Sequence, residues 1–230
     1  MDRFFILLIA LIYAPANTSE YKSQCCQDQF VNEHFFHDMK GGFFLDIGAH
    51  DGQSFSNTWY LEKNCNWFGI CFEPLPHLYK KLKECRTCIC VNACVSAIQG
   101  ALPFLHIDGC DEMLSGLCGT YDQRALNAVM SDIKQFGGDF KVLQLPSVRL
   151  DSVLEQFGVT HVDYLSLDTE GNELEILKTI DFSKITINVI DVENNYNEPF
   201  IKDFLTANGY TFVTRLTVDD IYVRNGFAGY

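Results

Sequence analysis

Four short stretches combine acids with glycine or amide side chains in patterns that could grip a ligand. The first is Asp46-Ile47-Gly48-Ala49-His50-Asp51-Gly52, with Ser54 just beyond it. The two glycines let backbone approach a ligand closely, and amides opening a helix favour an anionic group. Asp46 and Asp51 work against a diphosphate and suit a cation or an amine. The loop also lacks the Gly-x-Gly-x-x-Gly arrangement that admits a dinucleotide pyrophosphate. The second stretch ends at Glu73, before Pro74, where a carboxylate can accept from both hydroxyls of a ribose. The third is Asn92-Ala93, an amide able to meet an adenine edge, and the fourth is Asp168-Thr169-Glu170-Gly171. A nucleoside with a positive tail satisfies the first three, which points to S-adenosylmethionine rather than NAD.

These residues can meet only if each ends a strand, because an open α/β sheet binds ligands outside the carboxyl ends of its strands. Apolar runs of strand length stand where this requires them, at 42–48, 67–73, 88–95 and 162–167, with a fifth at 187–192. Helical stretches alternate with them. One covers roughly 54–63, and Leu75, Leu78, Tyr79 and Leu82 recur on one face of the next. Leu126, Val129, Met130 and Ile133 mark a helix stopped by Gly137-Gly138, and Asp151 reads as the N-cap of a short helix ending at Gly158. Leu174, Ile176 and Leu177 line a further helix, and Phe200, Ile201, Phe204 and Leu205 another. Residues 210–217 and 221–224, joined by a tight Asp219-Asp220 link, predict a closing antiparallel hairpin. The stretch 100–119 reads as a hairpin or irregular insert. The pattern predicts a doubly wound, mostly parallel α/β sheet.

The chain has 230 residues, 47% of them apolar, and a formal net charge of −13. Its acid excess argues against a nucleic-acid partner or an anionic lipid surface. Residues 4–14 (FFILLIALIYA), running into a cleavage-site-like Ala14-Pro15-Ala16, have the anatomy of a signal peptide and are too short to span a bilayer. The expected organisation is therefore a signal peptide over 1–16, an N-terminal segment over 17–40 and one domain over 41–230, in the secretory pathway. The alternative, a hydrophobic N-terminal helix packed on the domain, would leave the protein cytoplasmic. Ten cysteines agree with an oxidising compartment and predict disulfides among those near the surface. Cys88 and Cys90 would share one strand face, which argues against a zinc site at 85–94. No metal-ligand set stands out, so transfer without a metal is expected.

LDIGAHDGQS (45–54), FEP (72–74), VNACVS (91–96), LDSVL (150–154), LDTEGNELEIL (167–177) and the closing GY and IYVRN resemble the FkbM family of S-adenosylmethionine-dependent methyltransferases. The resemblance spans about 43–225. It implies a class I methyltransferase fold with a seven-stranded Rossmann-like sheet, S-adenosylmethionine as cofactor, and O-methylation, commonly of sugar hydroxyls in glycans or glycosylated metabolites, so the expected partner is a glycan or small-molecule acceptor. Carried onto matching positions, Asp46, Gly48, Asp51, Gly52 and Ser54 would hold the methionine part, Glu73 the ribose, and Asn92 and Ala93 the adenine. His50 stands in the same loop, where the family often has Asn. Asp168 and Glu170 follow strand four beside the expected methyl group and are the candidate bases, with His106 a looser alternative; Asp191 and Glu193 are further substrate candidates. Residues 48–62 are also similar to insect Star-type proteins, which implies a second reading, a trafficking module keeping the fold without turnover.

Overall fold

The computed structural model describes residues 20–109 and 112–227. The proposed signal peptide, Cys110 and the last three residues lie outside them. The described part begins its helical structure with α1 (Gln27–Val31) and a π-helical turn, Asn32–Phe36. A first half follows, with β1 (Phe43–Ile47), α2 (Trp59–Cys65), β2 (Phe68–Phe72), α3 (Pro76–Cys85) and β3 (Ile89–Val91). Next comes an insert containing β4 (Cys94–Val95), β5 (Gly100–Asp108), a 3-10 turn (Glu112–Leu114), β6 (Gly116–Leu117), α4 (Gln123–Phe136) and β7 (Asp139–Val148). The second half runs α5 (Leu150–Phe157), β8 (His161–Leu167), α6 (Glu173–Leu177), β9 (Thr186–Glu193), α7 (Pro199–Ala207), β10 (Tyr210–Leu216) and β11 (Asp219–Arg224).

The main sheet has seven strands in the order β10-β11-β9-β8-β1-β2-β3. The pairs β3–β2, β2–β1, β1–β8 and β8–β9 are parallel, while β11 runs antiparallel to both its neighbours. Successive residues of a strand point to opposite faces, and both faces here are covered. Leu45, Ile70, Phe72, Leu165 and Ile190 pack against Leu150, Leu154, Ile176 and Leu205 of the helices on one side. Phe44, Cys71, Tyr164 and Val189 meet Val31, Phe36, Leu61 and Leu82 on the other. Burial on both faces is why the central strands read as unbroken apolar runs.

Three expected elements are corrected. The strand expected over 88–95 is two: β3 stays in the main sheet, whereas β4 pairs with β7 in a second, four-stranded sheet of order β4-β7-β5-β6. The break falls at Asn92, whose side-chain amide donates to the carbonyls of Glu73 and Pro74 at 2.8 and 3.0 Å. The stretch 100–119, expected as a hairpin or irregular insert, supplies β5 and β6, which pair antiparallel, and β7 completes the sheet by pairing antiparallel with β5 from Asp139 to Ser147. The hairpin turn lies at Thr217-Val218, and Asp219 and Asp220 are the first residues of β11. Asp151 also sits inside α5, bonded to Arg149, with no side chain capping that helix.

No disulfide forms among the described residues: nine cysteines are free thiols, five of them intermediate or exposed. Many serve instead as small core side chains. The sulfurs of Cys71 and Cys88 lie 3.4 Å apart, in contact but not bonded. No described helix is long and apolar enough to cross a membrane.

Candidate active site

A cleft of about 1000 Å³ opens across the carboxyl ends of the central strands. Its floor is built by short-range stitching of those ends. The amides of Gly48 and Ala49 both donate to the carbonyl of Phe72, and the amide of Asp168 donates to that of Ile47. Gly48 has a φ of +95°, and a Cβ there would lie 1.9 Å from the Asp168 carbonyl oxygen. Glycine is what allows the turn after β1 to cross the end of β8.

Glu73 follows β2 and is 4% exposed. One carboxylate oxygen accepts from the His50 amide at 3.0 Å and the other from the Leu75 amide at 2.8 Å. Each oxygen has a further lone pair, and Glu73 lines the cleft. Burial pushes its carboxyl up to about 8, against the effect of those two amides. Ala93, buried and small, lines the same end of the cleft with Leu75 and Leu78.

The remaining first-loop residues divide by role. Gly48, His50 and Ser54 line the cleft with Asp46. Asp46 is also tied down, accepting from the Thr58 hydroxyl with the Arg86 guanidinium 3.9 Å away. Asp51 and Gly52 are not among the lining residues. Asp51 shapes the loop by accepting from the amides of Gln53 and Ser54. Gly52 takes φ +84°, and a Cβ there would meet Leu82, Cys85 and Arg86 at 2.6 to 3.0 Å. Its missing side chain makes room for α3. Asn92 likewise spends its amide on backbone rather than lining the cleft.

The opposite end of the floor is acidic. After β8 the chain turns through Asp168, Thr169, Glu170 (φ +61°) and Gly171. Glu173 organises this turn, accepting from the Thr169 amide and hydroxyl and from the Gly171 amide. A Cβ on Gly171 would strike the Thr120 carbonyl at 2.5 Å, so that glycine admits the insert. Asp168, Glu170 and Glu193 bring carboxylate oxygens within 4.8 Å of one another, a set able to hold a hard cation or an ammonium group. Asp168 opens onto the cleft yet is ringed by protein. That desolvation, then the charges of Asp219 and Glu173, raises its carboxyl to about 7. Burial followed by the Asp168 charge pushes Glu193 well above the carboxylate range.

One lining acid needs the strand pairing to be seen. Asp219 stands opposite Glu193 in the β11–β9 register and accepts from the Gln27 side chain, so the N-terminal segment forms part of the wall. Asp191 faces away, its carboxylate bonded to the Tyr164 hydroxyl at 2.7 Å. His106 does not line the cleft; its Nε2 is turned onto Glu112.

The family model for the methyltransferase FkbM domain matches residues 46–213. The chain belongs to the FkbM methyltransferase domain family. No curated protein matches it significantly. Among solved structures, it is similar to the methyltransferase FkbM of Methylobacillus flagellatus, at 11% identity and a TM-score of 0.45, covering 81% of this chain and 44% of that one. A precorrin-6y C5,15-methyltransferase from Geobacter metallireducens also matches, at 11% identity and 0.45, over 93% and 94% of the two chains. TrmK of M. capricolum, solved with S-adenosylhomocysteine, matches at 14% and 0.38, over 86% and 66%. The chain thus spans less than half the length of the Methylobacillus protein. S-adenosylmethionine is the cofactor of the FkbM family, and the cleft suits it: a close-approach turn at Gly48, a buried carboxylate at Glu73, a small apolar end at Ala93 and an acidic end at Asp168.

Proposed function

We propose that this FkbM-family chain is an S-adenosylmethionine-dependent O-methyltransferase acting on a sugar hydroxyl of a glycan or glycoconjugate, and that it works in the secretory pathway. The observation that carries the methyl-donor reading is Glu73, buried at the end of β2, held by two amides and facing the cleft with lone pairs to spare. When bound, the cofactor supplies a methyl group on a sulfonium that is already a good leaving group. The protein's part is to align an acceptor and exclude water. Glu73 holds ribose hydroxyls, the Gly48 turn offers backbone to the amino-acid part, and the acids beyond β8 and β9 favour its positive charges. An alcohol attacks well only while losing its proton. Asp168, with its carboxyl near 7, is suited to take that proton at neutral pH, and Glu170 turns on the same loop beside it.

The acceptor reading is supported by the other walls. α4 contributes Ser131, Asp132 and Gln135, and the N-terminal segment Gln24 and Gln27. Such side chains pair with hydroxyls. The location rests on the apolar run at 4–14. Transfer of tritium from methyl-labelled donor to a glycan panel tests the proposal. Incorporation into a sugar, lowered about a hundredfold or more in Asp168→Asn with donor-product affinity changed far less, is the expected result. Donor binding with no transfer to any glycan would reject the acceptor class.

A further inference from the structure

Outside this cleft floor, three side chains from three separate elements converge on one point. His77 lies in the first turn of α3, His106 in β5, and Glu112 in the 3-10 turn that follows β5. His77 Nε2 is 2.6 Å from Glu112 Oε1, and His106 Nε2 is 3.3 Å from the same oxygen. One donor atom from each residue lies within 4.8 Å of the other two. The two imidazole rings are 5.5 Å apart and tilted by 54°, so they do not stack. Ligands at 2.0–2.2 Å from a tetrahedral ion stand about 3.4 Å apart, a spacing this cluster reaches with small side-chain shifts.

We propose that His77, His106 and Glu112 form a binding site for a divalent d-block ion, with Zn²⁺ the best match, that pins the insert to α3 at the rim of the cleft. Two imidazole nitrogens and one carboxylate are the donors such an ion takes, whereas Mg²⁺ and Ca²⁺ favour all-oxygen sets. Three protein ligands leave a fourth position for water or an acceptor oxygen. Glu112 also lines the cleft, so that position lies at its edge. His106 is almost buried and fixed in the sheet, while His77 is nearly half exposed and gives the ion a way in. Among the described residues His106 Nδ1 has no hydrogen-bond partner, so none of them holds that ring away from an ion at Nε2. The arrangement without an ion is a carboxylate bonded by two imidazoles, and the test separates the two.

The full chain, treated with chelator and kept reduced, is titrated with Zn²⁺ by calorimetry and then with Co²⁺ followed by visible absorption. The proposal expects one Zn²⁺ per chain, with affinity at least tenfold lower in His77→Ala, an exposed position whose change does not threaten the fold. Glu112→Gln should weaken binding similarly. The Co²⁺ spectrum should show tetrahedral d–d bands without thiolate charge transfer, which separates this site from the cysteines. Absence of Zn²⁺ binding overturns the proposal. Binding that survives His77→Ala and Glu112→Gln unchanged, or that carries a thiolate signature, also overturns it. None of these readouts depends on methyl transfer.

Discussion

Glu73 serves two ends at the scale of the residue. Its amide bonds to His50 and Leu75 fix the first loop against the start of α3, and its remaining lone pairs face the cleft. Ribose hydroxyls favour the ionised carboxylate, whereas burial in the free protein holds its carboxyl up at about 8. Binding must therefore release a proton below that pH. Affinity for S-adenosylhomocysteine should strengthen as pH rises from 6 towards 8, by up to about tenfold per unit. Calorimetry across that range checks this, and Glu73→Ala should both weaken binding about ten- to a hundredfold and flatten the profile. An equally steep profile in the variant would assign the proton to another group.

Arg86 shows what holds the elements that present these residues. It is buried after α3 and donates to Glu62 of α2 at 2.6 Å, to the Gly52 carbonyl and to the Thr58 hydroxyl. Burial alone would raise Glu62, but the guanidinium and the Thr87 amide reverse this and hold it at about 2. Arg86→Ala would strip the Glu62 and Asp46 carboxylates of their buried guanidinium partner and should cost about 3–5 kcal/mol in denaturant unfolding. Gly48→Ala adds a Cβ against Asp168 at a left-handed position and should cost about 2 kcal/mol or more, with donor-product binding lost. These arrangements were unequally legible in the sequence. β1, β2, β8 and β9 announce themselves because both faces are buried, and a strand with an acid after it marks a ligand end. The roles of Gly52 and Asn92 were hidden, since glycine and amide look alike whether they face a ligand or a neighbouring helix. β7 was missed because only Leu145 and Ser147 of its run are buried, leaving a weak alternation with Pro146 inside it. Asp219 and the His77–His106–Glu112 cluster depend on register and on how the insert folds back, and no local pattern carries that information.

On the scale of the whole molecule, part of the acid excess is buried, and that part governs how stability responds to pH. Burial raises Glu73 to about 8, Asp168 to about 7 and Asp219 to about 6. Each then binds more protons folded than unfolded between about pH 4 and its raised value, so unfolding free energy falls as pH rises through that window. The protein without ligand should have a Tm that drops steadily from pH 5 to pH 8.5 in scanning calorimetry. S-adenosylmethionine, bringing positive charge to the acidic end, should recover more of it at pH 8.5 than at pH 5. A Tm that rises with pH would mean these carboxyls are ionised at no cost. The central claim is that a nucleoside lies across the ends of β1, β2 and β3 with its sugar on Glu73. A crystal structure of the chain soaked with S-adenosylhomocysteine tests it most directly. Ribose hydroxyls should lie within hydrogen-bond distance of Glu73 and the amino-acid tail over the Gly48 turn; a cleft filled by the protein's own side chains, or a ligand bound elsewhere, would contradict this.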